Sequence, residues 1–343
     1  MRRSLWLRWL LGIVLVGLLA LTVFWFVVRD EFRKIVDDWR SDMEAMGYAI
    51  AAGPPSFRGW PLRLEAHYAA PAITAPGGQR WEGPAEVMGY AWLWDVETIV
   101  IEGPGRHRLE IEGGPLAIDV EDGSALTLGF GAGLDRVAVE LGPSSVTNEK
   151  SGRSLSLERL AFDVASLASG KDGRRSDIGF TFELARVPLP PELASASQMV
   201  GPEIVLLKLD GRLQGVLSPK PWQEFLATWR DSAGVLDLSG IELDWGTLWV
   251  KGAGTLTVDQ EYRPLGAFSF ETLGLPELVH RATAAGLIDE DEGLALERGL
   301  TALASGTDEQ GRHRVQLPIT MQDGWLYIGS IQFGRLRPWV LGD

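Results

Sequence analysis

Four histidines, His67, His107, His280 and His313, are the first places to look for acid–base or metal chemistry, and none stands at metal-ligand spacing from another. His280 has no H-E-x-x-H around it. The acidic run Asp289-Glu290-Asp291-Glu292 lacks the alternating ligands and central glycine of a calcium loop and reads as the charged start of a helix. Gly129-Phe130-Gly131-Ala132-Gly133 and Gly252-Ala253-Gly254 do not open a dinucleotide-type helix, no G-x-x-x-x-G-K-[ST] loop occurs, and no serine lies in a G-x-S-x-G elbow. No pair of carboxylates stands out for glycoside chemistry. The chain has no cysteine, which removes thiol catalysis, disulfides and the commonest zinc ligand sets. No enzyme, metal or cofactor is therefore expected.

Tryptophan carries more information than any titratable group. Of 14 tryptophans, those in Trp92-Leu93-Trp94 and in Trp245–Trp249 are joined by apolar neighbours on the opposite face. Strands apolar on both faces lie either beneath helices or along a cavity. The candidate apolar groove is assigned to Trp92, Trp94, Leu207, Leu209, Leu213, Trp245 and Trp249, with an acyl chain as its natural occupant. Ordinary core packing under helices is the competing reading.

The element that must position all of this is Leu10–Val28, nineteen uncharged residues. As a helix it covers roughly 28 Å, the thickness of a bilayer's hydrocarbon layer. Trp6 and Trp9 mark one interface, and Phe24, Trp25 and Phe26 the other. The run ends in Phe-Trp-Phe-Val-Val-Arg without an A-x-A-like site, unlike a cleaved signal peptide. An uncleaved single-pass anchor is expected over residues 1–29, held in the inner membrane by residues 10–28. Lys and Arg are nearly balanced across it, so orientation rests on its export-signal-like opening: N-terminus cytoplasmic, bulk of the chain periplasmic. Next come Phe32, Ile35, Val36, Trp39, Met43 and Met46, a helical stripe ended by Gly47. This predicts an amphipathic stalk over 30–47, with i, i+4 pairs Arg33–Asp37, Lys34–Asp38 and Arg40–Glu44.

Residues 48–343 read as a β-rich domain, with a subdivision near 200–205 as an option. The alternation of Leu62 to Tyr68 and of Leu207, Leu209, Gly211, Leu213, Gly215 and Leu217 is that of half-buried strands. Turns at Glu121–Ser124 and Lys171–Arg174 suit hairpins. Three segments, Ala117–Leu128, Thr255–Phe270 and Ile319–Phe333, look like hairpins extending one sheet. Helices are expected over Pro190–Met199, after Ser218-Pro219 as cap and first position, and as a hairpin over Pro276–Gly286 and Glu290–Ala304, the second presenting Leu296, Leu300 and Leu303. The fold class is mainly β with an N-terminal transmembrane helix: an antiparallel meander curled into an open sandwich or trough, with a few packing helices. With 41 glycines and 19 prolines the composition is that of a turn-rich folded chain. The formal charge of −14 argues against nucleic acid as a partner.

Phe57-Arg58-Gly59-Trp60-Pro61-Leu62-Arg63-Leu64, with Pro71 after it, resembles the bacterial domain-of-unknown-function family 2125. Tyr90-Ala91-Trp92-Leu93-Trp94-Asp95, Gly254–Gly266 and Leu317–Gly334 extend the likeness across nearly everything after the anchor, although Trp60 stands where Phe or Tyr is expected. The resemblance implies an exported, membrane-tethered envelope protein and supplies no catalytic residue. A more distant similarity is to AsmA-like envelope proteins, whose curled sheets are proposed to conduct lipid. Together these readings lead to a membrane-anchored envelope protein that binds or passes lipid through an apolar groove. The alternative is a non-enzymatic scaffold that contacts other envelope proteins.

Overall fold

A computed structural model describes residues 2–131, 133–169, 176–189, 194–217 and 221–339. The chain is mainly antiparallel β in two large open sheets, with five helices and no closed barrel among the described residues. It divides into two compact units, Met1–Ser154 and Leu155–Asp343. That division lies upstream of the 200–205 position considered from sequence.

The first unit begins with one unbroken helix, α1 (Arg2–Ala45), so anchor and stalk are a single element. It is long and apolar enough to cross a membrane, and Leu11–Ala20 are exposed along it. Gly47, at φ +88°, ends it in a Schellman motif: Tyr48 N–H donates to Met43 O and Gly47 N–H to Glu44 O. The stalk stripe is only half used. Phe32, Val36 and Met43 are half-buried, whereas Ile35, Trp39 and Met46 are exposed. In this segment Lys34 pairs with Glu31 instead of Asp38, and Arg40 donates to the Ala52 carbonyl.

Two sheets face each other within this unit. One runs, in spatial order, Ala49–Ala51, Ala72–Thr74, Arg80–Glu82, Gly105–Ile111, Gly114–Val120, Ser144–Asn148 and Arg153–Leu157. The other contributes Ser56–Arg58, Arg63–Ala69, Glu86–Trp92, Asp95–Glu102, Ala125–Phe130 and Leu134–Leu141. The Glu121–Ser124 turn, with Gly123 at φ +88°, therefore does not close a hairpin. It carries the chain from Gly114–Val120 in one sheet to Ala125–Phe130 in the other, which corrects the reading of Ala117–Leu128.

In the second unit the strands Arg159–Ser169, Ser176–Pro188, Glu203–Gly215, Val235–Trp245, Leu248–Val258, Pro264–Leu273, His313–Gln322, Trp325–Ile328 and Ile331–Arg335 follow in sequence order across one sheet. Here Thr255–Phe270 and the start of Ile319–Phe333 are hairpins as expected. The helices are α2 (Ala194–Met199), α3 (Trp222–Asp231), α4 (Leu275–Ala284) and α5 (Glu290–Ala302). The Lys171–Arg174 turn, the beginning of the Pro190–Met199 helix and the Ser218-Pro219 cap lie outside the described residues. The observed cap of α3 is Pro221. On α5 only Leu300 of the predicted stripe is half-buried, while Leu296 and Leu303 are exposed. The helix packs instead through Gly293, where an ideal Cβ would meet Thr283 Oγ1 of α4 at 1.9 Å.

Candidate functional site

Strand pairing in the second unit places cross-strand partners on one face of the sheet. One row of partners is Phe182, Leu209, Ile241, Gly252, Phe270 and Leu317; the next is Phe180, Gly211, Leu238, Gly254, Phe268 and Ile319. Leu207 and Leu213 flank these rows, paired with Leu243 and Leu236. The opposite face carries Glu183, Lys208, Glu242, Lys251 and Glu271 side by side, signs alternating from strand to strand. One face is thus polar and charge-matched, and the other is apolar over at least six strands.

The apolar face owes its relief to glycine. An ideal Cβ at Gly252 would lie 2.3 Å from the Phe270 ring and one at Gly254 2.4 Å from the Phe268 ring. Those two rings stack at 5.8 Å with planes 6° apart. Gly211 accepts Phe180 in the same way, at 2.8 Å. Each phenylalanine lies flat across a neighbouring strand where any side chain would displace it. Among the described residues this unit has no second sheet, and the central residues of the face are half-buried.

Helix α3 covers one end of the face. Leu226 and Trp229 are buried with Val258, and Leu213, Leu236 and Tyr262 pack around them. Trp229 sits directly on backbone, because a Cβ at Gly215 would approach its ring to 2.6 Å and one at Gly234 to 2.2 Å. Its Nε1 donates to Gln214 O at 2.8 Å. Helices α4 and α5 follow the Leu273 end of the preceding strand and pack against His313–Gln322, in which Val315 is fully buried.

The seven nominated groove residues therefore separate. Leu207, Leu209 and Leu213 lie on the apolar face, Leu213 under α3. Trp245 pairs with Leu248 at the margin of that face, and its Nε1 donates to Gly201 O at 3.0 Å. Trp249 pairs with Asp244 and Leu273 and so lies on the other face. Trp92 and Trp94 belong to the first unit, where they stack at 4.7 Å at a hairpin tip. Sequence reading passed over Phe180, Phe182, Phe268 and Phe270. For Phe268 and Phe270 the signal was a glycine pair and a phenylalanine pair, each two residues apart, on strands joined by a short turn in which Asp259 accepts from the Glu261 and Arg263 N–H groups.

The first unit holds a second apolar space, a cleft of about 390 Å³ between its two sheets. Trp81, Ile118 and Val120 line it from one sheet, and Ile101, Leu126 and Val139 from the other. His107 reaches the cleft, but both ring nitrogens are engaged, with Gly103 O at 2.6 Å and Trp81 Nε1 at 3.3 Å.

The remaining histidines are also paired with local groups. His67 bridges Glu65 at 3.1 Å and Glu86 at 3.0 Å, His280 meets Glu297 at 3.1 Å, and His313 meets Glu277 at 2.7 Å. Burial works to raise the Glu65 carboxyl, but hydrogen bonds from His67 and Arg63 outweigh it and hold the group below the ordinary range. Glu277 is shifted the same way, burial opposing and His313 prevailing. Among the described residues no cluster of three His, Asp or Glu side chains could hold a metal ion.

No curated protein matches the chain. A family model described as an uncharacterised protein conserved in bacteria, domain-of-unknown-function family 2125, matches residues 25–337. The AsmA-like likeness is not confirmed. The match begins inside the apolar helix at Trp25 and takes in both units almost to their ends, so the chain belongs to family 2125.

Proposed function

We propose that this protein is a non-enzymatic, single-pass protein of the bacterial inner membrane, N-terminus in the cytoplasm and both units in the periplasm, that shelters acyl chains of lipid on the apolar face of its second unit. The observation that carries the reading is the pair of rows from Phe182 to Leu317 and from Phe180 to Ile319. Leucine, isoleucine and phenylalanine alternate there with glycine on a half-buried surface that has no second sheet over it among the described residues. Apolar surface of that extent is kept from water in a stable protein, and a flexible acyl chain can follow shallow relief without needing polar anchors. The apolar helix supports placement at a bilayer, where such a ligand is at hand.

The test uses two neighbouring residues on opposite faces. A photoreactive side chain at Leu209 should yield lipid adducts in intact membranes, detected by mass spectrometry, and the same group at Lys208 should not. Absence of adducts at both positions, or equal yields, rejects lipid sheltering. A reporter fused after Asp343 tests the topology, since activity of a cytoplasm-only reporter there reverses the orientation.

A second reading, a scaffold for other envelope proteins, draws on the outermost strand Ile331–Arg335, where Ile331 and Phe333 are both about two-thirds exposed. Another chain could extend the ladder there. A photoreactive group at Phe333 that captures protein, with none capturing lipid at Leu209, would favour it.

A further inference from the structure

We propose that the turn Trp60–Leu62 and the hairpin tip Trp92–Trp94 form a foot that enters the headgroup layer of the same bilayer that α1 crosses. This rests on the reading of α1 as a membrane span, and it gives Trp92 and Trp94 a different task from the groove first assigned to them.

The depth follows from contacts within the first unit. Trp60 Nε1 donates to Thr22 Oγ1 at 3.3 Å, and Trp25 Nε1 donates to Arg63 O at 2.9 Å. Thr22 lies six residues before Val28, the last residue of the apolar run, which is about 9 Å along a helix. Trp25 is buried against Leu64 and Leu93, with Leu21 and Val28 packed around it. Leu93 N–H donates to Leu62 O at 3.0 Å, tying the hairpin tip to the turn. A β-domain fixed to α1 at Thr22 and Trp25 cannot stand clear of the membrane, because its lowest turns lie beside the last two helical turns of the apolar run.

The side chains at that level suit an interface. Trp94 is 67% exposed, Trp60 50%, Leu62 48% and Trp92 39%. Large apolar side chains gathered at one end of a unit are unfavourable in water, and tryptophan is the residue most at home between headgroups and acyl chains. The cations nearby are arranged compatibly. The Arg63 guanidinium lies over Trp92 at 5.5 Å and Tyr90 at 4.5 Å, and Arg29 lies over Phe26 at 4.7 Å. Each covers an aromatic face while pairing with a neighbouring carboxylate, Arg63 with Glu65 and Arg29 with Asp30, so the cluster is charge-balanced.

The absence of cysteine makes the test clean, because single cysteines can be placed in the full chain without removing any. Leu62→Cys and Trp94→Cys replace exposed side chains, Leu15→Cys marks the span, and Glu112→Cys lies in an exposed polar turn. Each variant is labelled with an environment-sensitive fluorophore in nanodiscs of phosphatidylethanolamine and phosphatidylglycerol, some carrying shallow or deep nitroxide lipids. The label at 15 should be quenched most by the deep nitroxide, those at 62 and 94 most by the shallow one, and that at 112 only by aqueous iodide. Labels at 62 and 94 that behave like 112, with 15 still quenched by lipid, overturn the foot and leave the anchor standing. Labels at 62 and 94 shielded from both lipid nitroxide and iodide also overturn it, since the patch is then covered by protein. If 15 itself responds only to iodide, the anchor reading fails first.

Discussion

The two units solve the same problem differently. In the first, apolar faces of two sheets turn toward each other, and the mismatch between them remains as a cleft of about 390 Å³. In the second, one sheet keeps its apolar face without a facing sheet among the described residues, and helices reach it only at its ends. The first unit hides apolar surface by pairing sheets. The second smooths it, laying rings over glycines so that the surface is continuous but shallow. A sheet of alternating residues thus does not need a second layer if its exposed half has something else to cover it.

The largest test of this contrast is Trp229→Ala. It removes the side chain that seats α3 on the open sheet and should cost the second unit about 3–5 kcal/mol. Urea unfolding followed by hydrogen exchange should show the loss concentrated in Glu203–Gly215 and Val235–Trp245, with the first unit's strands little changed. Next, Gly254→Val drives a side chain into Phe268 and should cost about 1–3 kcal/mol in denaturant melts. Gly89→Ala in the first unit meets nothing nearer than Ile101 Cγ1 at 3.9 Å and should be neutral or add up to about 1 kcal/mol of stability. Filling should help where space is left: Val139→Ile, on the cleft face of its strand beside Leu126, should raise stability by roughly 0.5–1 kcal/mol. A loss of that size would mean the cleft closes on itself in solution.

The smallest expected effect concerns Glu277 and Glu65, one in each unit. Both carboxyls are held below the ordinary glutamate value of 4.5, so each contributes stability that is present above that value. The contribution is lost as pH falls below 4.5 toward the folded-state value. Glu277→Gln and Glu65→Gln should each flatten the acid limb of the urea midpoint against pH, by under about 1 kcal/mol for these partly exposed pairs. Equal slopes in wild type and variants would show that neither pair governs acid stability.

Much of this was legible in sequence. The apolar run, the stripe from Phe32 and Gly47 gave a helix that the structure shows as one piece ending where the glycine stands. The alternation of Leu207 to Leu217 gave a strand and its apolar face. What could not be read was partnership. Glu121–Ser124 has hairpin chemistry and yet joins two different sheets, because a tight turn reverses the chain without choosing its neighbour. Trp92 and Trp94 read as groove lining because their spacing says only that they share a face. That the hairpin tip between them is held against α1 depends on Leu93 packing on Trp25 and on contacts 38 residues apart, Trp60 to Thr22 and Trp25 to Arg63. The α5 stripe failed for a similar reason, since Gly293 against Thr283 brings the helices together on a different side.

The phenylalanine–glycine pairs have one more consequence. A slip of one residue between strands would turn every apolar side chain to the wrong face, but a slip of two would leave the alternation intact. Between Leu248–Val258 and Pro264–Leu273, such a two-residue slip would leave one ring over a glycine and bring the other onto Val250 or Leu256. Two rings and two notches therefore act as a vernier. They single out one alignment among those that hydrophobic patterning cannot tell apart, in a unit where no opposing sheet is present among the described residues to enforce it.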